Sequence, residues 1–229
     1  IYDHGELPDG RPWYTMKQVE GERLTDAIRG LHAAQPEPQR YSMMLRQALR
    51  AFGAVCSTVA YAHEQGVIHR DIKPSNIMLG AFGEVLLLDW GLALEISHFS
   101  SHGSESALVV GTPYYMSPEQ ARGEYSSVSA STDVYALGAT LYHILTGRPP
   151  YHGPPGTDVL KQVISPEPPT PIPRSAGHDG LHPAVLVRLC ERAMAPSPDD
   201  RLPDAQAMAE AVQDWLDAVE RQERGRKEV

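Results

Sequence analysis

A run of eight residues, from His69 to Asn76, combines the side-chain types that phosphoryl transfer requires. In that chemistry a carboxylate can accept the proton of an attacking hydroxyl, and a lysine can lie against the phosphate. Amide and carboxylate oxygens can bind Mg²⁺. Asp71, Lys73 and Asn76 supply these groups, and Asp89 supplies a second carboxylate. The competing interpretation of the run is a polar turn after a helix.

The sequence His-Arg-Asp-Ile-Lys-Pro-Ser-Asn at residues 69–76 resembles the catalytic loop of eukaryotic-like protein kinases. The resemblance implies that Asp71 is the catalytic base, that Lys73 contacts the γ-phosphate and that Asn76 is a metal ligand. Arg70 would be an arginine that can pair with a phosphate on the activation loop.

Asp89-Trp90-Gly91 follows where the family carries Asp-Phe-Gly with a metal-binding aspartate. The resemblance therefore makes Asn76 and Asp89 the metal ligands. The aromatic ring at this motif packs against the catalytic-loop histidine, here His69. Tryptophan is larger than the usual phenylalanine, so the packing of an inactive state stays open.

The stretch Gly111–Glu119 is similar to the segment that closes the kinase activation loop, with Ser-Pro-Glu where Ala-Pro-Glu is common. The resemblance implies that Thr112 lies near the catalytic aspartate. In the family this threonine and a lysine placed like Lys73 accompany serine/threonine rather than tyrosine specificity. Glu119 would form a buried, structural ion pair with Arg201.

Asp133 begins an apolar stretch that resembles the central helix of the family, where the aspartate anchors the backbone of the catalytic loop. Taken alone, an aspartate at this position could equally be an ordinary acid in the first turn of a helix. The neighbouring motifs favour the anchor.

Residues 14–19 resemble the segment that joins the two lobes of a kinase. Met16 would then guard the nucleotide pocket, the backbone at Lys17 to Val19 would meet adenine, and Met78 would form the pocket floor. A methionine or valine in a strand is also an ordinary core residue. The ligands that the resemblance implies are ATP and Mg²⁺.

Periodicity and turn residues predict the elements that position these side chains. Apolar residues at three- and four-residue steps predict one long helix, and an all-round apolar stretch predicts a central one. The predicted hairpins lie within residues 1–19 and Ile77–Leu88, and the predicted helices are Leu24–Leu31, Ser42–Glu64, Thr132–Thr146, Ala184–Ala195 and Asp204–Val219.

Three further segments are predicted to lack regular structure. Ser97–Ser106 is rich in serine and indicates a mobile loop that could accept an activating phosphate. Ser165–Pro183 contains six prolines and cannot form a regular helix. The charged end, Glu220–Val229, is expected to be frayed.

The predicted fold is α+β and kinase-like: a mainly α-helical large lobe with the last strands of the small lobe. Residues 1–19 would end the small lobe and form the hinge, 20–219 the large lobe, and 220–229 a tail. The sequence shows no Gly-rich loop with a strand lysine, and Gly80–Glu84 is interpreted as a hairpin turn. Because Ile1 begins in a strand-like stretch, we expect a fragment of a longer protein, and the fragment alone to bind nucleotide weakly.

Composition excludes several classes of partner. The formal net charge is −9 and the isoelectric point is about 5.5, which argues against nucleic acid and anionic membrane surfaces. Two cysteines are too few for a disulfide framework and fit a reducing cytoplasm. No apolar run reaches the roughly 20 residues of a membrane span, although a parent protein could be anchored elsewhere.

The predicted function is that of a protein serine/threonine kinase acting with ATP and Mg²⁺ on protein substrates, with self-phosphorylation in trans as a further possibility. The alternative is a pseudokinase or scaffold that binds protein partners without catalysis. A scaffold needs none of Asp71, Lys73, Asn76 and Asp89, so their presence favours the enzyme.

Overall fold

A computed structural model of the chain describes residues 3–15, 18–95, 111–153, 157–165, 169 and 184–227. Within these ranges the strands are β1 (Asp3–Glu6), β2 (Pro12–Thr15), β3 (Glu22–Arg23), β4 (Val67–Ile68), β5 (Ile77–Leu79), β6 (Val85–Leu87) and β7 (Leu94–Glu95). The α-helices are α1 (Leu24–Ala33), α2 (Pro38–Glu64), α3 (Pro118–Ala121), α4 (Ala130–Thr146), α5 (Val159–Ile164), α6 (Ala184–Ala193) and α7 (Ala205–Lys227). The helical large lobe with small sheets is the predicted α+β class.

The strands form three small antiparallel sheets. β1 pairs with β2, so the predicted first hairpin is confirmed. β5 pairs with β6 and also with β3, whereas β4 pairs with β7. The turn between β5 and β6 closes with the Gly80 amide donating to the Glu84 carbonyl at 2.8 Å, which confirms that this glycine-containing stretch is a hairpin turn.

Helix α2 forms one wall of the core. Its fully buried side chains, including Leu49, Phe52, Cys56 and Val59, follow the three- and four-residue spacing that predicted the helix. The helix begins at Pro38, four residues before the predicted start at Ser42. Proline fits the first turn of a helix because the amide hydrogen that it lacks would have no partner there.

Helix α4 runs through the middle of the core. Its side chains from Thr132 to Tyr142 are all buried, as the apolar sequence predicted. Ser129 and Thr132 form a capping box at its start, and Gly147 ends it with a φ of 76°. This central helix carries Asp133 into the interior.

Helix α7 corrects the expectation of a frayed end from Glu220. The helix continues to Lys227 and packs along α2. Arg50 pairs with Glu220 at 2.7 Å, and Arg46 pairs with Glu223. Glu220 and Glu223 therefore bind the neighbouring helix α2.

Cys56 and Cys190 are free and buried, and burial raises the pKa of both thiols. In the part of the chain that the structure describes, no helix combines the length and apolar character of a membrane span. The predicted loop Ser97–Ser106 and most of the proline-rich stretch Ser165–Pro183 lie outside the described residues.

Candidate active site

The segment His69–Asn76 connects β4 to β5 and is fixed by buried apolar side chains. Ile68, Ile72 and Ile77 are fully buried and hold its start, middle and end in the core. Pro74 to Asn76 form one 3₁₀ turn, in which the Asn76 amide donates to the Lys73 carbonyl at 3.0 Å. The polar side chains of the loop are thereby held on one rigid support.

The carboxylate of Asp71 is the centre of the site. Its Oδ1 accepts hydrogen bonds from the amide of Thr112 at 2.9 Å and from the Thr112 hydroxyl at 2.8 Å. Its Oδ2 accepts from the Lys73 ammonium and, at 3.2 Å, from Nδ2 of Asn76. The Lys73 ammonium also donates to the Thr112 hydroxyl. The structure therefore brings the three predicted catalytic residues together, and adds Thr112 where the resemblance placed it.

Asn76 is oriented so that its amide oxygen is left for another ligand. Nδ2 donates to the backbone carbonyl of Asp71 at 3.0 Å, and a carbonyl oxygen can only accept. This fixes which end of the amide faces Asp71. Among the described residues nothing donates to the Asn76 Oδ1, an atom of the kind that Mg²⁺ prefers.

Asp89 lies two residues after the end of β6, and the residue before it, Leu88, contacts the backbone of Asn76. The Leu88 amide donates to the Asn76 carbonyl at 2.7 Å, which joins the two segments. Asp89 has a φ of 64°, in the left-handed region that non-glycine residues rarely adopt. Its exposed carboxylate has no hydrogen-bond partner in the described part of the chain. Asn76 and Asp89 thus offer oxygen ligands that fit the metal the resemblance implies.

Trp90 packs on the catalytic-loop histidine, as predicted. The rings of Trp90 and His69 have centroids 4.6 Å apart, and the indole Nε1 donates to the Leu87 carbonyl at 3.0 Å. A phenylalanine could stack in this place but could not make the hydrogen bond. The tryptophan therefore attaches the Asp89 turn to β6 as well as to His69.

Asp133 lies in the first turn of α4 and also anchors the backbone of the segment His69–Asn76, which confirms the predicted anchor. Its fully buried carboxylate accepts from the amide of His69 at 2.8 Å and from that of Arg70 at 2.9 Å. It also binds Nε2 of His63 at 2.8 Å. The sequence placed His63 only on the apolar face of α2, because helical spacing does not reveal a polar partner on another helix.

The segment Gly111–Glu119 lies over the catalytic loop. A Cβ at Gly111, which has a φ of 122°, would lie 3.2 Å from the Arg70 carbonyl oxygen, so a side chain there would crowd the loop. Gln120 donates from Nε2 to the same carbonyl at 2.9 Å. Sequence analysis missed Gln120, although its position three residues after Ser117 is a capping-box signal.

Glu119 and Arg201 form the predicted buried ion pair. Two parallel hydrogen bonds of 2.7 and 2.8 Å join the guanidinium to the carboxylate, and Arg201 lies over the ring of Tyr135. Burial raises the pKa of Glu119, but the bonds and charge of Arg201 lower it by more, so that the pKa lies below its usual value. The pair joins α3 to the segment before α7 and serves the fold.

A second contact that sequence analysis missed joins this segment to α4. The Tyr115 hydroxyl is hydrogen-bonded to Nδ1 of His143 at 2.7 Å. Burial, together with the nearby His32, lowers the pKa of His143 to about 4, and burial raises the pKa of Tyr115. His143 is therefore neutral near pH 7, and its Nδ1 can accept a hydrogen bond from the Tyr115 hydroxyl.

The structure describes only some of the residues that are predicted to contact the nucleotide. Met16 and Lys17 lie outside the described residues, and Val19 is half-buried between β2 and β3. Met78 is buried in β5, opposite Arg23 and Leu86 on the neighbouring strands. These adenine contacts remain predictions.

Comparison with known proteins places the chain among kinases. The family model described as "Protein kinase domain" matches residues 10–213. The chain is 38% identical over 211 residues to the serine/threonine-protein kinase PknB of Mycobacterium tuberculosis, with 91% of this chain and 31% of that protein aligned. PknB of Mycobacterium leprae is 37% identical with the same coverage.

A more distant bacterial relative gives the same result. The serine/threonine-protein kinase PknD of Chlamydia abortus is 34% identical over 223 residues, which cover 89% of this chain and 23% of that protein. The chain thus spans about a third or less of the length of these relatives. By its family match and these relatives, the chain belongs to the protein kinase family, among the bacterial serine/threonine kinases of eukaryotic-like type.

Proposed function

We propose that the protein containing this chain transfers the γ-phosphoryl group of ATP to serine or threonine side chains of proteins. The observation that carries the proposal is the arrangement at Asp71, whose carboxylate is bound by Thr112, Lys73 and Asn76. A scaffold has no use for a buried carboxylate that is oriented by three separate side chains. The same set gives a phosphotransferase its base and its phosphate contact.

The chain's own residues would divide the work in the following way. Asp71 orients the acceptor hydroxyl and takes its proton. The long side chain of Lys73 can leave Asp71 for an incoming phosphate, because a phosphate oxygen offers it an equally strong charged acceptor. This movement would free Oδ2 of Asp71 for the substrate, while Thr112 continues to hold Oδ1.

Asn76 and Asp89 would hold Mg²⁺, which supplies charge neutralisation on the phosphates when it is bound. Both are oxygen ligands, and the amide of Asn76 is fixed with its nitrogen toward Asp71. We propose no further metal ligand from the described residues.

Protein substrates with exposed serine or threonine are the partners we propose, and other copies of the protein are among them, through self-phosphorylation in trans. Threonine at position 112 supports this acceptor class, because it is bound to both Asp71 and Lys73.

The proposal is tested with full-length protein, radiolabelled ATP and a protein substrate, with and without a chelator of Mg²⁺. Phosphoamino acid analysis should find label on serine or threonine, and the chelator should abolish it. Label confined to tyrosine would overturn the acceptor class. Nucleotide binding without any transfer would favour the pseudokinase alternative.

A further inference from the structure

Arg70, the residue before Asp71, has a backbone conformation that needs support from its surroundings. Its φ of 68° lies in the left-handed region that residues with a side chain rarely adopt. Such a conformation persists only where neighbouring groups hold it. The groups that hold Arg70 therefore also help to place Asp71.

Two side chains from different helices hold the backbone of Arg70. Asp133 of α4 accepts the Arg70 amide proton at 2.9 Å, and Gln120 of α3 donates from Nε2 to the Arg70 carbonyl, also at 2.9 Å. This carbonyl belongs to the rigid peptide unit that joins Arg70 to Asp71. Gln120 therefore fixes the peptide plane from which Asp71 projects.

The other end of the Gln120 amide is engaged by Ser117. The side-chain oxygen Oε1 of Gln120 accepts a hydrogen bond from the backbone amide of Ser117 at 3.2 Å. In return, the Ser117 hydroxyl accepts a hydrogen bond from the backbone amide of Gln120 at 3.4 Å. Gln120 is buried, with only 7% of the residue exposed. Because Ser117 takes the acceptor end of the amide, the donor end faces Arg70.

We propose that Gln120 is a positioning residue for phosphoryl transfer. It connects the segment that ends in α3 to the Arg70–Asp71 peptide, so that the placement of this segment sets the orientation of the catalytic carboxylate. The inference rests on the proposed kinase function and adds to it a residue that touches neither substrate nor metal.

The simpler role for Gln120 is that of a helix cap, and the two roles use opposite ends of one amide. Gln120→Glu keeps an oxygen for the Ser117 amide, but the ionised carboxylate has no proton to donate to Arg70. Ser117→Ala removes the hydroxyl, which caps the helix and also donates to Oε1 of Gln120 at 3.3 Å. The backbone amide of Ser117 still holds this oxygen, so the bond from Nε2 of Gln120 to Arg70 should stay in place. Alanine is also the common residue at this position of the motif. The pair of variants therefore separates the two roles.

The experiment measures phosphotransfer kinetics of the full-length protein and hydrogen–deuterium exchange of the peptide that covers residues 69–73. Gln120→Glu should lower kcat about tenfold near pH 8, leave the KM for ATP unchanged and speed exchange in this peptide. Ser117→Ala should leave kcat and exchange as in the unsubstituted protein. Equal effects of the two variants would reduce Gln120 to a cap and overturn the proposal.

Acidification provides a readout that a purely structural role would not change. Burial favours the protonated form of the introduced carboxyl, which can again donate to the Arg70 carbonyl. The kcat of Gln120→Glu relative to the unsubstituted protein should therefore rise as the pH falls from about 8 to about 6. A ratio that stays constant would contradict the proposal.

The two proposals fail in different ways. If the full-length protein shows no phosphotransfer, the proposed function is wrong. The exchange comparison then still decides the role of Gln120: faster exchange in Gln120→Glu alone supports positioning, and equal exchange in both variants contradicts it.

Discussion

Thr112 binds one carboxylate oxygen of Asp71 twice, through its backbone amide at 2.9 Å and through its hydroxyl at 2.8 Å. The same hydroxyl accepts a hydrogen bond from Lys73. A threonine that is 41 residues from Asp71 in the sequence thus binds two side chains of the segment His69–Asn76.

Replacing Thr112 should slow phosphotransfer without unfolding the protein. In Thr112→Val the amide still binds Asp71, but the hydroxyl bonds to Asp71 and Lys73 are lost, so we expect kcat to fall about tenfold. Thr112→Ser keeps the hydroxyl and serves as the matched control. Steady-state kinetics at saturating ATP measure the effect, and full activity of the valine variant would show that the hydroxyl is dispensable.

Asp133→Asn should destabilise the protein and reduce its activity. Asparagine offers one acceptor oxygen where the carboxylate receives the amides of His69 and Arg70 as well as His63, so at least one buried amide loses its partner. We expect the free energy of unfolding to fall by about 3 kcal/mol.

His63→Leu is the control for Asp133→Asn, because it removes one bond to Asp133 and leaves both loop amides paired. We expect the free energy of unfolding of His63→Leu to fall by about 1 kcal/mol. Urea unfolding followed by circular dichroism measures both variants. Equal losses would mean that the loop amides do not depend on Asp133.

Trp90→Phe should loosen the turn that carries Asp89. The phenyl ring can still stack on His69, but the hydrogen bond from the indole to Leu87 is lost. We expect a loss of about 1 kcal/mol in unfolding free energy and faster amide exchange at residues 88–91. Unchanged exchange there would show that stacking alone holds the turn.

Acidification should destabilise the fold through His143. Burial lowers the pKa of this histidine to about 4, whereas in the unfolded chain it titrates near 6.5. Between these two pKa values only the unfolded state binds the proton. The contribution of His143 to the free energy of unfolding is therefore fully present above about pH 6.5 and is lost as the pH falls toward 4. One such group contributes a slope of up to about 1.4 kcal/mol per pH unit.

His143→Gln keeps an acceptor for the Tyr115 hydroxyl and cannot titrate. Urea unfolding at several pH values between 7 and 4 should therefore show a shallower decline in this variant than in the unsubstituted protein. Parallel curves would exclude His143 as the source.

The sequence predicted best those features that are encoded by residues close together in the chain, either as helical spacing or as a short motif. The buried face of α2 follows from helical spacing, and the contacts of Asp133 and Glu119 follow from motifs with a fixed structural context. The three donors to Asp71 also came from such motifs. Residue spacing and short motifs were therefore sufficient to predict helix α2 and these contacts.

The features that sequence missed depend on contacts between distant segments. Glu220 belongs to a run that looks frayed by composition, yet it pairs with Arg50 on another helix. Gln120 reaches the Arg70 carbonyl across 50 residues, and Tyr115 reaches His143 on α4. Neither partner is indicated by residues near it in the chain, so only the folded arrangement reveals the pair.

The most direct test of the central claim is phosphotransfer by full-length protein beside its Asp71→Asn variant. Asparagine is close to aspartate in size and shape but lacks the charge that accepts the hydroxyl proton. We predict that transfer to serine or threonine falls by at least about a hundredfold while ATP binding persists. Equal transfer by the two proteins would contradict the assignment of Asp71 as the catalytic base.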